Sequence, residues 1–332
     1  MKTAHLCLLL LVLSAVTELV GAWDPFSMTW VFGTAFISTI SNLLYKGCED
    51  KLVAFESSGL EGSLQTKLFG QHIASKIILK TVSGFMNDKN PKKPLVLSLY
   101  GPSGTGKKFV STLIAENIYK EGMNSDYVHI FLSTRHFPHV SQVDTYKTQL
   151  QQWIKGNVSS CAQSMFIFDE MDQMHRGLID SIEPYLDHYH KLDGISYRKA
   201  IFIFLSNVGG SSLTQTALKF RNAGRKWAEI KLKDVEKSLL ESAFNDDKSG
   251  LWHTTLIEKN LVDFFVPFLP LEYSHVLQCI MAAMEAQGFQ PDISIADKLA
   301  NDVVYFPESE PVFSKKGCKT LGNRLHFYME EI

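Results

Sequence analysis

The 332-residue chain lacks a strong net charge of either sign: 33 Lys and Arg against 35 Asp and Glu leave a formal −2. No overall basic field therefore draws it to nucleic acid, and none is expected as a partner. Internal repeats and low-complexity tracts are missing too. Nowhere does the chain carry an unbroken run of the ~20 predominantly apolar residues that a spanning helix needs. Cysteine is sparse, five in all. What remains, 45% hydrophobic and 20% charged residues, is ordinary globular composition, enough for a full core or for two domains.

The first 22 residues read as a secretory signal peptide, with Lys2 as a positive start, Leu6 to Val16 as a short apolar core and Val20-Gly21-Ala22 as small residues for cleavage after Gly21 or Ala22. A membrane anchor is the competing reading, but Ser14, Thr17 and Glu18 break the run. Residues 23–48 contain a second apolar stretch, Met28 to Leu44, interrupted by Thr34, Ser38, Thr39, Ser41 and Asn42. It is expected to lie on one leaflet as a monotopic contact, or else to be a buried helix. Cys7 leaves with the signal, so Cys48, Cys161, Cys279 and Cys318 remain, with three full pairings open. Asn157-Val158-Ser159 is a glycosylation sequon, meaningful only in a lumenal chain. The last four residues are not a retention tetrapeptide.

Further along, Gln71 to Met86 places apolar residues at helical spacing. The runs Leu95 to Tyr100, Tyr127 to Leu132, Met165 to Phe168 and Ala200 to Leu205 are nearly continuous in hydrophobicity, which suits parallel strands buried on both faces. Helical patterns between them argue for an α/β domain with a central parallel sheet, over residues 49–255. After about Gly250 apolar helical stretches dominate, among them Leu261 to Phe268, Val276 to Met284 and Leu321 to Tyr328. No strand is expected there, and residues 256–332 are assigned to a small helical domain.

The chemistry lies in Gly101-Pro102-Ser103-Gly104-Thr105-Gly106-Lys107-Lys108, which follows the first strand and opens a helix. Placement and spacing fit a phosphate-binding P-loop better than a merely flexible glycine loop. The glycines let backbone N–H groups point inward, the helix N-terminus favours an anion, and Lys107 brings a charge to the β- and γ-phosphates of ATP. The next position normally supplies a hydroxyl to Mg²⁺, but Lys108 stands there, so Mg²⁺ is expected to rest on phosphates, water and acids elsewhere. Met165-Phe-Ile-Phe-Asp169-Glu170 supplies those acids: Asp169 to orient hydrated Mg²⁺, Glu170 to polarise the attacking water as general base. Asp172 reads as a solvated or helix-capping charge. Asn207, at the end of the Ala200 to Leu205 strand, is a candidate for positioning the water, or a turn cap before Gly209-Gly210. A P-loop kinase is a further reading, but no separate substrate-phosphoryl site is evident.

The order P-loop, Asp-Glu strand, Ser-Asn strand, helical domain resembles that of AAA+ ATPases. Leu68-Phe-Gly-Gln-His72, Asn124-Ser-Asp-Tyr-Val-His129, Phe166-Ile-Phe-Asp-Glu-Met-Asp172, Phe264-Phe-Val-Pro-Phe-Leu-Pro-Leu-Glu-Tyr273 and Gly317-Cys-Lys-Thr320 resemble the torsins, lumenal proteins of the endoplasmic reticulum and nuclear envelope. The resemblance implies a three-layer P-loop AAA+ domain and a helical lid. It puts Lys319 near the γ-phosphate and makes Cys279 and Cys318 a pair linking redox state to nucleotide sensing, with a plain structural disulfide or two buried thiols as alternatives. It also implies weak hydrolysis alone and activation in trans by the lumenal domains of lamina-associated-polypeptide-type membrane proteins, which supply a missing arginine. Homo-oligomerisation, and any role for Arg221 or Arg225, are left open. Torsins usually carry Asn at the position of Lys108, which is expected to point out of the site.

Overall fold

The structure, a computed structural model, describes residues 48, 52, 54–245, 251, 254–308 and 310–329, without the side chains of 243–245. The expected signal peptide and all but the last residue of the apolar segment lie outside the described residues. Met1–Asp50 and Lys51–Ile332 are separate units, and every element named below belongs to the second.

Five parallel strands form the central sheet: β1 (Leu95–Tyr100), β2 (Val128–Leu132), β3 (Met165–Asp169), β4 (Ile201–Ser206) and β5 (Phe264–Pro267), in the order β2-β3-β4-β1-β5. The continuous apolar runs arise because alternate residues enter two different cores. One face carries an aromatic ladder running from strand to strand. Phe131 stacks on Phe168 with ring centroids 4.9 Å apart, Phe168 meets Phe204 at 5.3 Å, and Phe166 stacks on Phe202 at 5.0 Å. The opposite face is aliphatic, with Leu97, Leu99, Ile167, Ile201, Ile203 and Leu205. Helices α1 (Ser57–Lys67), α2 (His72–Asn87) and α3 (Lys107–Ile118) bury Leu60, Ile78 and Ile114 against the aliphatic face. Helix α4 (Val143–Ser160) covers the aromatic face with Leu150, Ile154 and Val158, joined by α5 (Gly210–Asn222) and α6 (Leu232–Asn245). Each such side chain, fully buried, contributes about 1.5–3 kcal/mol. Helix, sheet and helix are thus the three layers the sequence implies.

A third core holds α7 (Tyr273–Ala286), α8 (Ile293–Asn301) and α9 (Leu321–Met329) together through Val276, Ile280, Leu299 and Leu325. This is the small helical domain, but two expectations need correction. Leu261 to Phe268 is not helical: its centre is β5, which pairs with β1 as Leu97↔Phe264 through Tyr100↔Pro267. A proline is tolerated there because β5 is an edge strand. The sheet therefore runs past residue 255, where the helical domain was expected to begin. Within the helical domain, β6 (Tyr305–Phe306) and β7 (Phe313–Ser314) form a small antiparallel pair.

Candidate nucleotide-binding site

The parallel register brings three strand ends side by side. Tyr100 of β1 sits opposite Ser206 of β4, and Phe168 of β3 opposite Phe204 of β4. The segments that follow, Gly101–Lys108, Asp169-Glu170 and Asn207, thus open onto one edge of the sheet, where open α/β sheets bind ligands.

Lys107 is the first residue of α3 and is only 8% exposed. Its ammonium donates to the loop's own carbonyls, Gly101 O at 2.6 Å and Pro102 O at 2.8 Å, and to Asn207 Oδ1 at 3.1 Å. Burial pushes its pKa down from 10.5 to about 8. The negative charges of Asp172 and Asp169 oppose that shift, and the positive charge of Lys319 adds to it. Thr105 Oγ1 pins the loop by donating to Pro102 O at 2.8 Å. Pro102 is half-buried, Ser103 is exposed and Gly106 caps α3 in a left-handed conformation.

Gly104 and Gly317 are required by close approach as well as by positive φ (77° and 51°). A Cβ on Gly104 would lie 1.8 Å from the Lys316 carbonyl oxygen, and one on Gly317 would lie 2.2 Å from the Gly104 carbonyl oxygen. Cys318 N–H donates to that same Gly104 carbonyl at 3.0 Å. Cys318 is disulfide-bonded to Cys279 on α7, with Cα atoms 6.1 Å apart. The Gly317-Cys318-Lys319 turn is therefore tied to the helical domain by a covalent bond and to the P-loop by backbone contact. Lys319 itself is exposed and acts on Lys107 through its charge.

At the end of β3, Asp169 Oδ1 accepts the Glu170 N–H at 2.9 Å. Glu170 takes a left-handed conformation, φ 60° and ψ 44°. For a residue with a Cβ this costs about 1–3 kcal/mol, strain of a kind that gathers at functional sites. The turn delivers its carboxylate to Thr134, whose N–H and hydroxyl both donate to Oε2. Two contributors escaped the sequence reading. Thr134 follows β2 with no motif to mark it. Asp172 is no idle surface charge: its Oδ1 accepts the Asn207 N–H at 3.2 Å and side-chain amide at 3.4 Å, orienting Asn207. The only available signal for Asp172 was its place two residues beyond Glu170.

Lys108 does not point out of the site. Its ammonium lies 3.3 Å from Asp169 Oδ2, because the first turn of α3 runs beside the end of β3. The residues present suit a triphosphate, with a buried lysine at the start of a helix and an oriented asparagine beside it. They do not suit Mg²⁺ in the usual way. The position that would offer a hydroxyl oxygen offers an ammonium, which is paired with the carboxylate that would orient the metal's water.

Two family models match the chain. The torsin model covers residues 42–168, and the model described as the torsin-1A C-terminal domain covers residues 271–328, more than half of the chain between them. The chain belongs to the torsin family of AAA+ ATPases. Among solved structures it is similar to the S. cerevisiae Hsp104–ADP complex, with a TM-score of 0.58 and 17% identity over 83% of this torsin. The likeness is one of fold, and this chain spans 48% of the Hsp104 chain.

The remaining sequence candidates fall elsewhere. Asn157 lies within α4, where its side-chain amide donates to Trp153 O at 2.8 Å, rather than in the surface loop usual for a glycan acceptor. Arg221 pairs with Glu272 at 3.5 Å and Glu310 at 3.7 Å, and Arg225 with Glu229 at 3.2 Å, so both are engaged by acids of their own chain. Among the described residues no helix is long and apolar enough to cross a membrane.

Proposed function

We propose that this torsin binds ATP on the Gly101–Lys107 loop and hydrolyses it slowly, with Glu170 as the base that activates water. The observation that carries the reading is Lys107, buried beside Asn207 and hydrogen-bonded to carbonyl and amide oxygens that phosphate oxygens can replace. Such an exchange trades neutral acceptors for charged ones, each worth about 1.5–3 kcal/mol. In this reading Asn207, oriented by Asp172, holds the water. Thr134 orients the Glu170 carboxylate by donating its N–H and hydroxyl to Oε2. Lys319 adds charge from the helical domain, so closure of that domain and occupancy by a triphosphate favour each other.

In this proposal the chain works in the lumen of the endoplasmic reticulum and the perinuclear space, in contact with the membrane face, and couples its nucleotide cycle to remodelling of proteins or membranes. Its partners are the lumenal domains of lamina-associated-polypeptide-type activators, which complete the site with an arginine. Arg221 and Arg225, each tied to acids, support the need for one from outside. A trans arginine is worth about 10³–10⁵ in rate where it has been characterised.

The ion pair between Lys108 and Asp169 favours a second reading, in which ATP gates assembly with partners and hydrolysis is incidental. Turnover by the purified chain, alone and with an activator's lumenal domain, separates the two. Stimulated turnover that Glu170→Gln abolishes supports the enzyme. Unstimulated turnover that Glu170→Gln leaves unchanged supports the gated module.

A further inference from the structure

The lysine beside the P-loop lysine stands where chemistry argues against one. A cation in the first turn of a helix opposes the helix dipole, at a cost of about 0.3–1 kcal/mol. Its neighbour Lys107 is already burdened by burial and by the charge of Lys319. Yet the Lys108 side chain turns to Asp169 Oδ2 at 3.3 Å, while Asp169 Oδ1 is taken by the Glu170 N–H. Both oxygens of the carboxylate that would recruit a hydrated cation are thereby engaged. Before nucleotide arrives, Lys107, Lys108 and Lys319 already stand one for one against Asp169, Glu170 and Asp172.

We propose that Lys108 takes over part of the divalent cation's charge at this site, so that nucleoside triphosphate binds largely independently of Mg²⁺. The inference rests on the ATP-binding reading above and concerns which cation accompanies the phosphates. Lys108 serves as a tethered monovalent cation that is present at all metal concentrations. It screens the Asp169 carboxylate from the incoming phosphates, which would otherwise repel it. Being more than half exposed, its ammonium can leave Asp169 for a phosphate oxygen without large desolvation. Asparagine at this position could do none of this, since it carries no charge; it leaves Asp169 free to draw a hydrated metal.

The test is equilibrium binding of a fluorescent, slowly hydrolysed ATP analogue to the full chain, in excess Mg²⁺ and in EDTA, for the parent, Lys108→Asn and Lys108→Met. The parent is expected to lose less than about threefold in affinity on metal removal. Lys108→Asn should lose about tenfold or more, the worth of one charge-assisted contact. Lys108→Met, with neither charge nor polar atom, should bind more weakly than the parent in EDTA. Thermal melts identify any variant that fails to fold, and position 108 is exposed enough that both replacements fit. Should the parent depend on Mg²⁺ as steeply as Lys108→Asn, the cation role is refuted while ATP binding stands. If no form binds the analogue under either condition, ATP binding itself is refuted and the cation role with it.

Discussion

Burial holds Lys107 at a pKa of about 8 in the free protein, and this makes nucleotide binding a proton-linked event. A triphosphate beside the ammonium favours its charged form and raises the pKa. At pH 8 about half of the free chains carry a neutral Lys107, so binding should take up ~0.5 proton, falling to ~0.1 at pH 7. Affinity should accordingly be about tenfold weaker at pH 9 than at pH 7. The same shift has a sign for stability. A lysine whose folded pKa lies below its unfolded value destabilises the fold while charged, fully below pH 8, and that cost fades as pH rises toward 10.5. It amounts to about 3 kcal/mol for this buried side chain. Calorimetric titration with ATP in two buffers of different ionisation enthalpy, at pH 7, 8 and 9, reads the proton uptake directly. His275, which burial pushes down to about 4, stays silent over that range. Equal apparent enthalpies in both buffers at pH 8, with flat affinity from pH 7 to 9, would refute the reasoning.

Asp172 is the largest charge opposing the shift of Lys107, so Asp172→Asn should move the midpoint of the proton-uptake curve to lower pH and cost more in turnover than in affinity; an unmoved midpoint reduces Asp172 to scaffolding. Gly104→Ala meets the Lys316 carbonyl and an unfavourable φ at once, and should weaken ATP binding about tenfold or more while costing about 1–3 kcal/mol of stability in denaturant melts. Cys279→Ser opens a bridge spanning 39 residues and should lower unfolding stability by about 4 kcal/mol, loosening ATP binding through the Cys318–Gly104 contact; unchanged affinity would show that the turn holds its place without the bridge.

Much of this molecule can be read from its residues, for reasons that are local. The first four strands announce themselves because alternate side chains enter an aromatic core and an aliphatic core, so that only Ser98 and His129 interrupt the apolar runs. The P-loop and the Asp169-Glu170 pair are contiguous motifs, so spacing alone finds them. β5 escaped because a short apolar run containing Pro267 has no period that separates helix from strand, and only its pairing with β1 decides. Asp172 and Thr134 escaped because each acts on a residue about 35 positions away, Asn207 and Glu170 respectively. The direction of Lys108 depends on how α3 lies beside β3, which no single segment encodes. The Cys279–Cys318 bridge was suggested by family likeness but left undecided by counting cysteines, and the packing of α7 beside the Gly317 turn settles it.

The claim beneath all of these is that Lys107, Asn207 and the acids beside them face one triphosphate. Equilibrium titration of the purified chain with ATP, alongside Lys107→Ala of matched thermal stability, tests it most directly. Saturable binding by the parent, weakened about a hundredfold in the variant, is the result expected from removing a buried charge-assisted contact. Equal binding by the two proteins, or none by the parent, would contradict the account.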